Sequence, residues 1–194
     1  MEAIARELGL RVPLARWHEQ EPPRAAGLWS AALLSALVGE IDRLHAVVRA
    51  LPWREPLPPT ARVQHPPRLR FRPPGSRGAE LHYDAWANNP ADQLIVWVPL
   101  VDTRGAESLW LVPGPQTRAL DELPFAEAQQ RLWRVASPLP LSVGQVLIMD
   151  AFTGHGAPLH HEDRTRVSVD IRVSLGSPGR LAWPGIDASL VWRT

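Results

Sequence analysis

Apolar residues divide the chain into two regimes. From Leu28 to Leu51 they recur at Leu33, Leu37, Ile41, Leu44, Val48 and Leu51. Steps of three or four put these side chains on one face of an amphipathic helix. Pro22 and Pro23 precede it and Pro52 ends it. Residues 1–51 are thus expected to be helical and to cover a sheet. From residue 81 onward the period shortens. "QLIVWVPLVDT" is an almost unbroken apolar, β-branched run, expected of a strand buried on both faces. "AESLWLVPG" predicts a second strand closed by Pro-Gly, and "PLSVGQVLIMDAF" another behind a turn. "RTRVSVDIRVSL" alternates, with Val167, Val169, Ile171 and Val173 on one face and Arg166, Ser168, Asp170 and Arg172 on the other. Between the regimes, residues 52–80 are rich in Pro and Arg and read as extended chain and loops, with a short strand near Arg68–Arg72. "LPFAEAQQRLW" reads as a short helical insertion or a loop.

Helix first and short strands after predict a mainly β protein with a helical buttress, built as an antiparallel barrel or sandwich. A length of 194 residues suits one domain spanning 1–194, with a helical part at 1–51 and a Pro/Gly-rich tail at 176–194 whose Trp residues pack back on the body. With 45% hydrophobic and 21% charged residues, the composition is that of a soluble globular chain. The net charge of +1 gives no reason to expect nucleic acid or an anionic membrane as partner. "MEAIARELGL" is too charged for a signal peptide and no apolar run approaches membrane-spanning length, so a cytoplasmic location is expected. Every basic residue other than His is Arg, which removes amine-nucleophile chemistry. Cys is absent too, so a metal must be held by His, Asp or Glu.

"GAELHYDAWANN", residues 78–89, supplies a pair of such ligands. On a strand, His82 and Asp84 point to the same side, with Tyr83 pointing away and Trp86 returning to the metal side if the strand continues. One imidazole and one carboxylate converging are two parts of a 2-His-1-carboxylate triad, a pattern suited to Fe(II). Alone, an H-x-D pair is a weak signal and more often an ordinary polar pair on a strand rim. The third ligand must come from elsewhere, and "FTGHGAPLHHEDRTR" offers His155, His160 and His161. His155 is favoured, because it follows the strand "GQVLIMD" and stands between two Gly. His160 and His161 neighbour charged residues and read as a solvated loop, and Asp150 as a turn residue. Arg166, eleven residues after His155, shares a strand face with Ser168. A guanidinium and a hydroxyl side by side can hold a carboxylate. Surface pairing of Arg166 with Asp170 or Glu162 is the plainer alternative.

The ordered set "HYD…IVWVPLVDT…SLWLVPG…GQVLIMD…HG…RTRVSVDIRV", over residues 68–175, resembles the Fe(II)/2-oxoglutarate-dependent dioxygenases. Within them it is most similar to the branch of phytanoyl-CoA-dioxygenase-like enzymes and small oxygenases of bacterial natural-product pathways, including the streptomycin-biosynthesis type. The resemblance implies a double-stranded β-helix (jelly-roll, cupin-like) core. It implies iron held by His82, Asp84 and His155, and the distal carboxylate of 2-oxoglutarate held by Arg166 and Ser168. It further implies consumption of O2 and 2-oxoglutarate, with release of succinate and CO2, coupled to oxidation of a C–H bond in a small molecule, free or carrier-bound. Ile95 stands where such enzymes often carry Asn. Asp84 is intact where related halogenases have a small residue, which points to hydroxylation, desaturation or ring formation. Trp86 is a candidate substrate contact, and so is Trp97; Trp97 and Trp110 could both line the barrel, although large aromatics in such runs are more often core residues. Arg70, Arg72 and Arg104 read as solvated, with contact to an anionic substrate the alternative. A cupin-like metalloenzyme that uses the triad without 2-oxoglutarate, and a non-catalytic β-barrel binding module, remain open.

Overall fold

The computed structural model describes residues 12–19, 46, 48–51, 53, 56–65, 67–87, 89–112, 120, 123–176 and 191–193. Among them are nine strands: β1 (Arg62–His65), β2 (Arg68–Arg72), β3 (Gln93–Pro99), β4 (Leu109–Val112), β5 (Ser137–Leu139), β6 (Leu147–Asp150), β7 (Gly154–Gly156), β8 (Arg166–Ser174) and β9 (Val191–Arg193). One α-helix is described in full, α1 (Phe125–Val135). The strands form two antiparallel sheets, one of six strands with β3 and β8 at its centre, the other of three in the order β5-β4-β7.

The apolar run of β3 fills the place its sequence predicts. It lies between β6 and β8 and sends alternate side chains to opposite faces of the sheet. Val96 joins Val63, Val169, Ile171 and Val173 on one face, while Ile95 and Trp97 pack with Leu109 and Met149 on the other. The other edge of β8 is shared: β1 pairs with its last residues and β2 with Arg166–Asp170. Pro66 and Pro67 stand between β1 and β2, and neither has an N–H to continue a ladder.

Most of the expected helix at 28–51 lies outside the described residues. Its end is helical at Ala46 and Val48–Ala50, and buried Val48 packs on the valine face of the large sheet. Near the N-terminus, the 3-10 segment Leu14–Glu19 lays Trp17 against Phe71 of β2, ring centroids 5.1 Å apart. The "FAEAQQRLWRV" segment is α1, whose buried Leu132 packs on Leu81 and Val112. The tail at 176–194 is described only at Gly176 and in β9, which adds to β1, and its Trp side chains lie outside the described residues. Among the described residues no helix is long and apolar enough to cross a membrane.

The polar half of β8 is not a solvated face. All nine of its residues are buried. Arg166, Ser168, Asp170 and Arg172 stand opposite Arg72, Arg70 and Arg68 of β2 on one side and Pro99, Trp97 and Ile95 of β3 on the other. Directly paired residues share a face. This face therefore carries the arginines together with Ile95 and Trp97, and most of them line a cavity of about 470 Å³.

Candidate metal centre

His82 and His155 reach this cavity from two short pieces of chain. They form an isolated antiparallel bridge in which His82 N–H donates to the His155 carbonyl at 3.0 Å and His155 N–H to the His82 carbonyl at 2.8 Å. Gly156 makes this approach possible: a Cβ there would sit 2.8 Å from Leu81 Cα. Asp84 is not on a continuing strand. It opens a 3-10 turn, Asp84–Ala87, which corrects the extended reading of residues 82–84. The turn still brings the carboxylate to the imidazoles, so one potential ligand atom from each of His82, Asp84 and His155 falls within 4.8 Å of the others.

The hydrogen bonds fix which atoms face inward. His82 Nδ1 lies 2.6 Å from the Glu80 carbonyl, and His155 Nδ1 lies 2.9 Å from the Thr153 carbonyl. A carbonyl only accepts, so each Nδ1 carries the proton and each Nε2 carries the lone pair. Burial, with His155 close by, pushes the His82 pKa down to about 4, so its ring is neutral at pH 7. Asp84 is fully buried. Its Oδ2 accepts from Gln93 Nε2 at 2.9 Å and pairs with Arg172 Nη2 at 2.9 Å. Its Oδ1 has no hydrogen-bond partner and faces the Nε2 atoms of His82 and His155 at 3.7 and 3.9 Å. A buried carboxylate oxygen left bare is costly. Two imidazole lone pairs around it form the donor set of a metal site.

Arg166 is 3% exposed and lines the same cavity. Burial, with Arg72 and Arg70 nearby, lowers its pKa to about 9, so it stays charged at neutral pH. Its guanidinium lies 5.8 Å from the Trp97 ring centroid, Nη1 donates to the Glu107 carbonyl at 3.4 Å, and Nε has no partner. The Ser168 hydroxyl, on the same strand face, is also buried without a partner. The surface pairing of Arg166 with Asp170 or Glu162 does not form; Asp170 pairs with Arg70 instead.

Other candidates settle differently. His160 is 1% exposed rather than solvated, and its Nε2–H donates to the Arg164 carbonyl at 2.6 Å. His161 is exposed. Asp150 Oδ1 caps a turn, accepting from the Phe152 N–H and the Thr153 hydroxyl. Tyr83 is buried with its ring near Phe152, and does not line the cavity. Trp97 and Ile95 do line it; Trp110 packs against Trp133 instead. Trp86 falls in the 3-10 turn, so strand parity does not apply to it, and its side chain lies outside the described residues. Arg104 is exposed; Arg72, 5% exposed, lines the cavity against its solvated reading, whereas Arg70 also borders the cavity but is itself exposed. Gln93, Arg172 and Arg68 were not singled out from the sequence. The signal was present, since Arg68 and Arg172 continue the strand alternation that carries Arg72 and Arg166.

No protein-family model matches the chain, and no curated protein matches it by sequence. Solved structures share its fold. The epimerase SnoN, in complex with Fe3+, alpha ketoglutarate and nogalamycin RO, superimposes with a TM-score of 0.53 at 19% identity, over 89% of this chain and 72% of that one. The apo form of the non-heme monooxygenase ThoJ gives 0.52 at 18% identity, over 90% and 70%. The chain is thus mainly β, with antiparallel sheets in the arrangement these non-heme enzymes have.

Proposed function

We propose that this chain is an Fe(II)/2-oxoglutarate-dependent oxygenase acting on a C–H bond of a small molecule, its two sheets being the halves of a double-stranded β-helix. The observation that carries the reading is Asp84 Oδ1, buried and without a hydrogen-bond partner, facing two imidazole Nε2 atoms. Two nitrogens and one carboxylate oxygen on one side of a point suit Fe(II) and leave its other positions open. His82, Asp84 and His155 are the proposed ligands. When bound, iron and 2-oxoglutarate together supply, with O2, the oxidising power for C–H cleavage.

The chain's own residues do the rest. The Glu80 and Thr153 carbonyls orient the two imidazoles, and Gln93 and Arg172 turn Asp84 so that Oδ1 faces them. Arg166 and Ser168, whose Nε and Oγ lack partners, hold the distal carboxylate of 2-oxoglutarate. Trp97 supports the Arg166 guanidinium by a cation–π contact and walls the cavity with Ile95, where related enzymes often carry Asn. The cavity, about 470 Å³, has room for a co-substrate and a small substrate. SnoN, with its bound iron and alpha ketoglutarate, supports the cofactor assignment by analogy of fold.

The test is an anaerobic titration with Fe(II) and 2-oxoglutarate, followed by admission of O2. The expected results are a weak visible charge-transfer band and then succinate. Asp84→Ala removes both, while Arg166→Ala keeps the iron and loses the band. A wild-type chain that gives neither band nor succinate overturns the reading.

A further inference from the structure

The cavity holds more positive charge than iron and 2-oxoglutarate account for. Arg68, Arg70, Arg72, Arg77, Arg166 and Arg172 line it, against only two carboxylates, Asp84 and Asp170. Arg70 pairs with Asp170 and Arg172 with Asp84. Among the described residues the other four have no carboxylate partner. One of them, Arg166, is assigned to the co-substrate. Fe(II) and the 2-oxoglutarate dianion bring no net charge between them, so six arginines against two carboxylates leave a surplus of positive charge. Arg68, Arg72 and Arg77 are the three with neither a carboxylate partner nor a place in co-substrate binding.

Arg72 is the most telling of the three. It is 5% exposed. Its Nη2 donates to the Pro158 carbonyl at 2.5 Å and to the Ser76 carbonyl at 3.5 Å, which pins the group without neutralising it. Nε and Nη1 are buried with no partner. The chain builds this position closely: a Cβ on Gly78 would stand 2.9 Å from Arg72 Cζ and 2.6 Å from Ala157 Cβ. In the sheet register Arg72 is directly opposite Arg166. Like charges placed opposite each other are destabilising unless an anion lies between or beside them. Farther along β2, Arg68 Nη2 is likewise buried without a partner. Arg77 is exposed where it lines the cavity.

We propose that the substrate carries an oxyanion group, phosphate, sulfate or carboxylate, and that Arg72 holds it, with Arg68 and Arg77 adding to the field. This rests on the oxygenase reading for the word substrate, but the anion site stands on its own geometry. Arg72 is then a binding residue distinct from the co-substrate's Arg166.

Inorganic phosphate, sulfate and acetate are the probes, titrated calorimetrically into the full chain with Fe(II) under anaerobic conditions, with and without saturating 2-oxoglutarate. At least one of the three should bind equally well in both arms, and their ranking names the oxyanion. Arg72→Gln should weaken it by roughly tenfold or more, the scale of a lost charge-assisted hydrogen bond. Arg77→Gln, an exposed change that leaves the fold intact, should weaken it by roughly threefold or more, which keeps the test decisive if Arg72→Gln does not fold. Absence of binding, loss of binding when 2-oxoglutarate is present, or affinity unmoved by these substitutions overturns the proposal. Anion binding that depends on these arginines, in a chain that takes up no 2-oxoglutarate, keeps the anion site and removes the oxygenase reading.

Discussion

The two oxygens of Asp84 meet different partners. Oδ2 is fixed by Gln93 and Arg172, and Oδ1 is left to the imidazoles. Gln93 itself is fully buried at the start of β3, so its amide has little freedom to turn elsewhere. Removing such a supporting hydrogen bond typically costs a metal site roughly ten- to hundredfold in affinity. Gln93→Ala should weaken Fe(II) binding by about that factor with the fold intact, as read by competition against a metal indicator alongside circular dichroism. Unchanged affinity would show that Arg172 orients the carboxylate alone. At this scale the sequence was informative about the atoms that converge and silent about those behind them. H-x-D spacing is a local signal. Gln93 lies nine residues beyond Asp84, and Arg172 comes from another strand.

Apolar or alternating runs of at least four residues were legible, whereas β1, four residues inside the stretch read as extended chain and loops, was not. The strand expected near Arg68–Arg72 is β2, and the apolar runs are β3, β4 and β6. Strands β5 and β7 have three residues each, too few for a period to register. The 3-10 turn at Asp84–Ala87 was hidden for another reason: nothing in "DAWA" forbids an extended chain. The loop between β7 and β8 holds a further surprise in His160. Its backbone exchanges hydrogen bonds with Gly75 and Ser76, and its ring donates to Arg164. It thereby latches the loop after β2 on which Arg77 sits. Burial lowers its pKa below the ordinary value near 6.5. The folded state thus refuses a proton that the unfolded chain accepts. Stability is complete above that ordinary value and is lost as pH falls below it. The melting temperature should fall between pH 7.5 and 5.5, and His160→Gln, which retains a donor for the Arg164 carbonyl, should flatten that fall. An equal slope in both proteins would assign the acid sensitivity elsewhere.

Across the whole molecule, the alternation of β2 and β8 separates two faces correctly but does not say what each one meets. A polar face ordinarily meets water. Here it meets a cavity between two sheets, which is why Arg72 reads as solvated and yet is buried, while Arg70 borders the same cavity and stays exposed. Sheet-to-sheet placement depends on contacts far apart in sequence, and one strand's pattern does not encode it. The same long range governs the His82–His155 bridge. An unfolded chain keeps His82 beside Asp84, but His155 is 73 residues away along the backbone. The complete donor set exists only in the folded state, so an ion held there acts as a removable cross-link that ties two distant segments together. Ligand taken up by the native state alone stabilises it by about 2.7 kcal/mol at a concentration of one hundred times Kd. Fe(II) should therefore raise the melting temperature, a chelator should reverse the gain, and His155→Ala should lose it. Iron supply would then set how long the chain survives a protease.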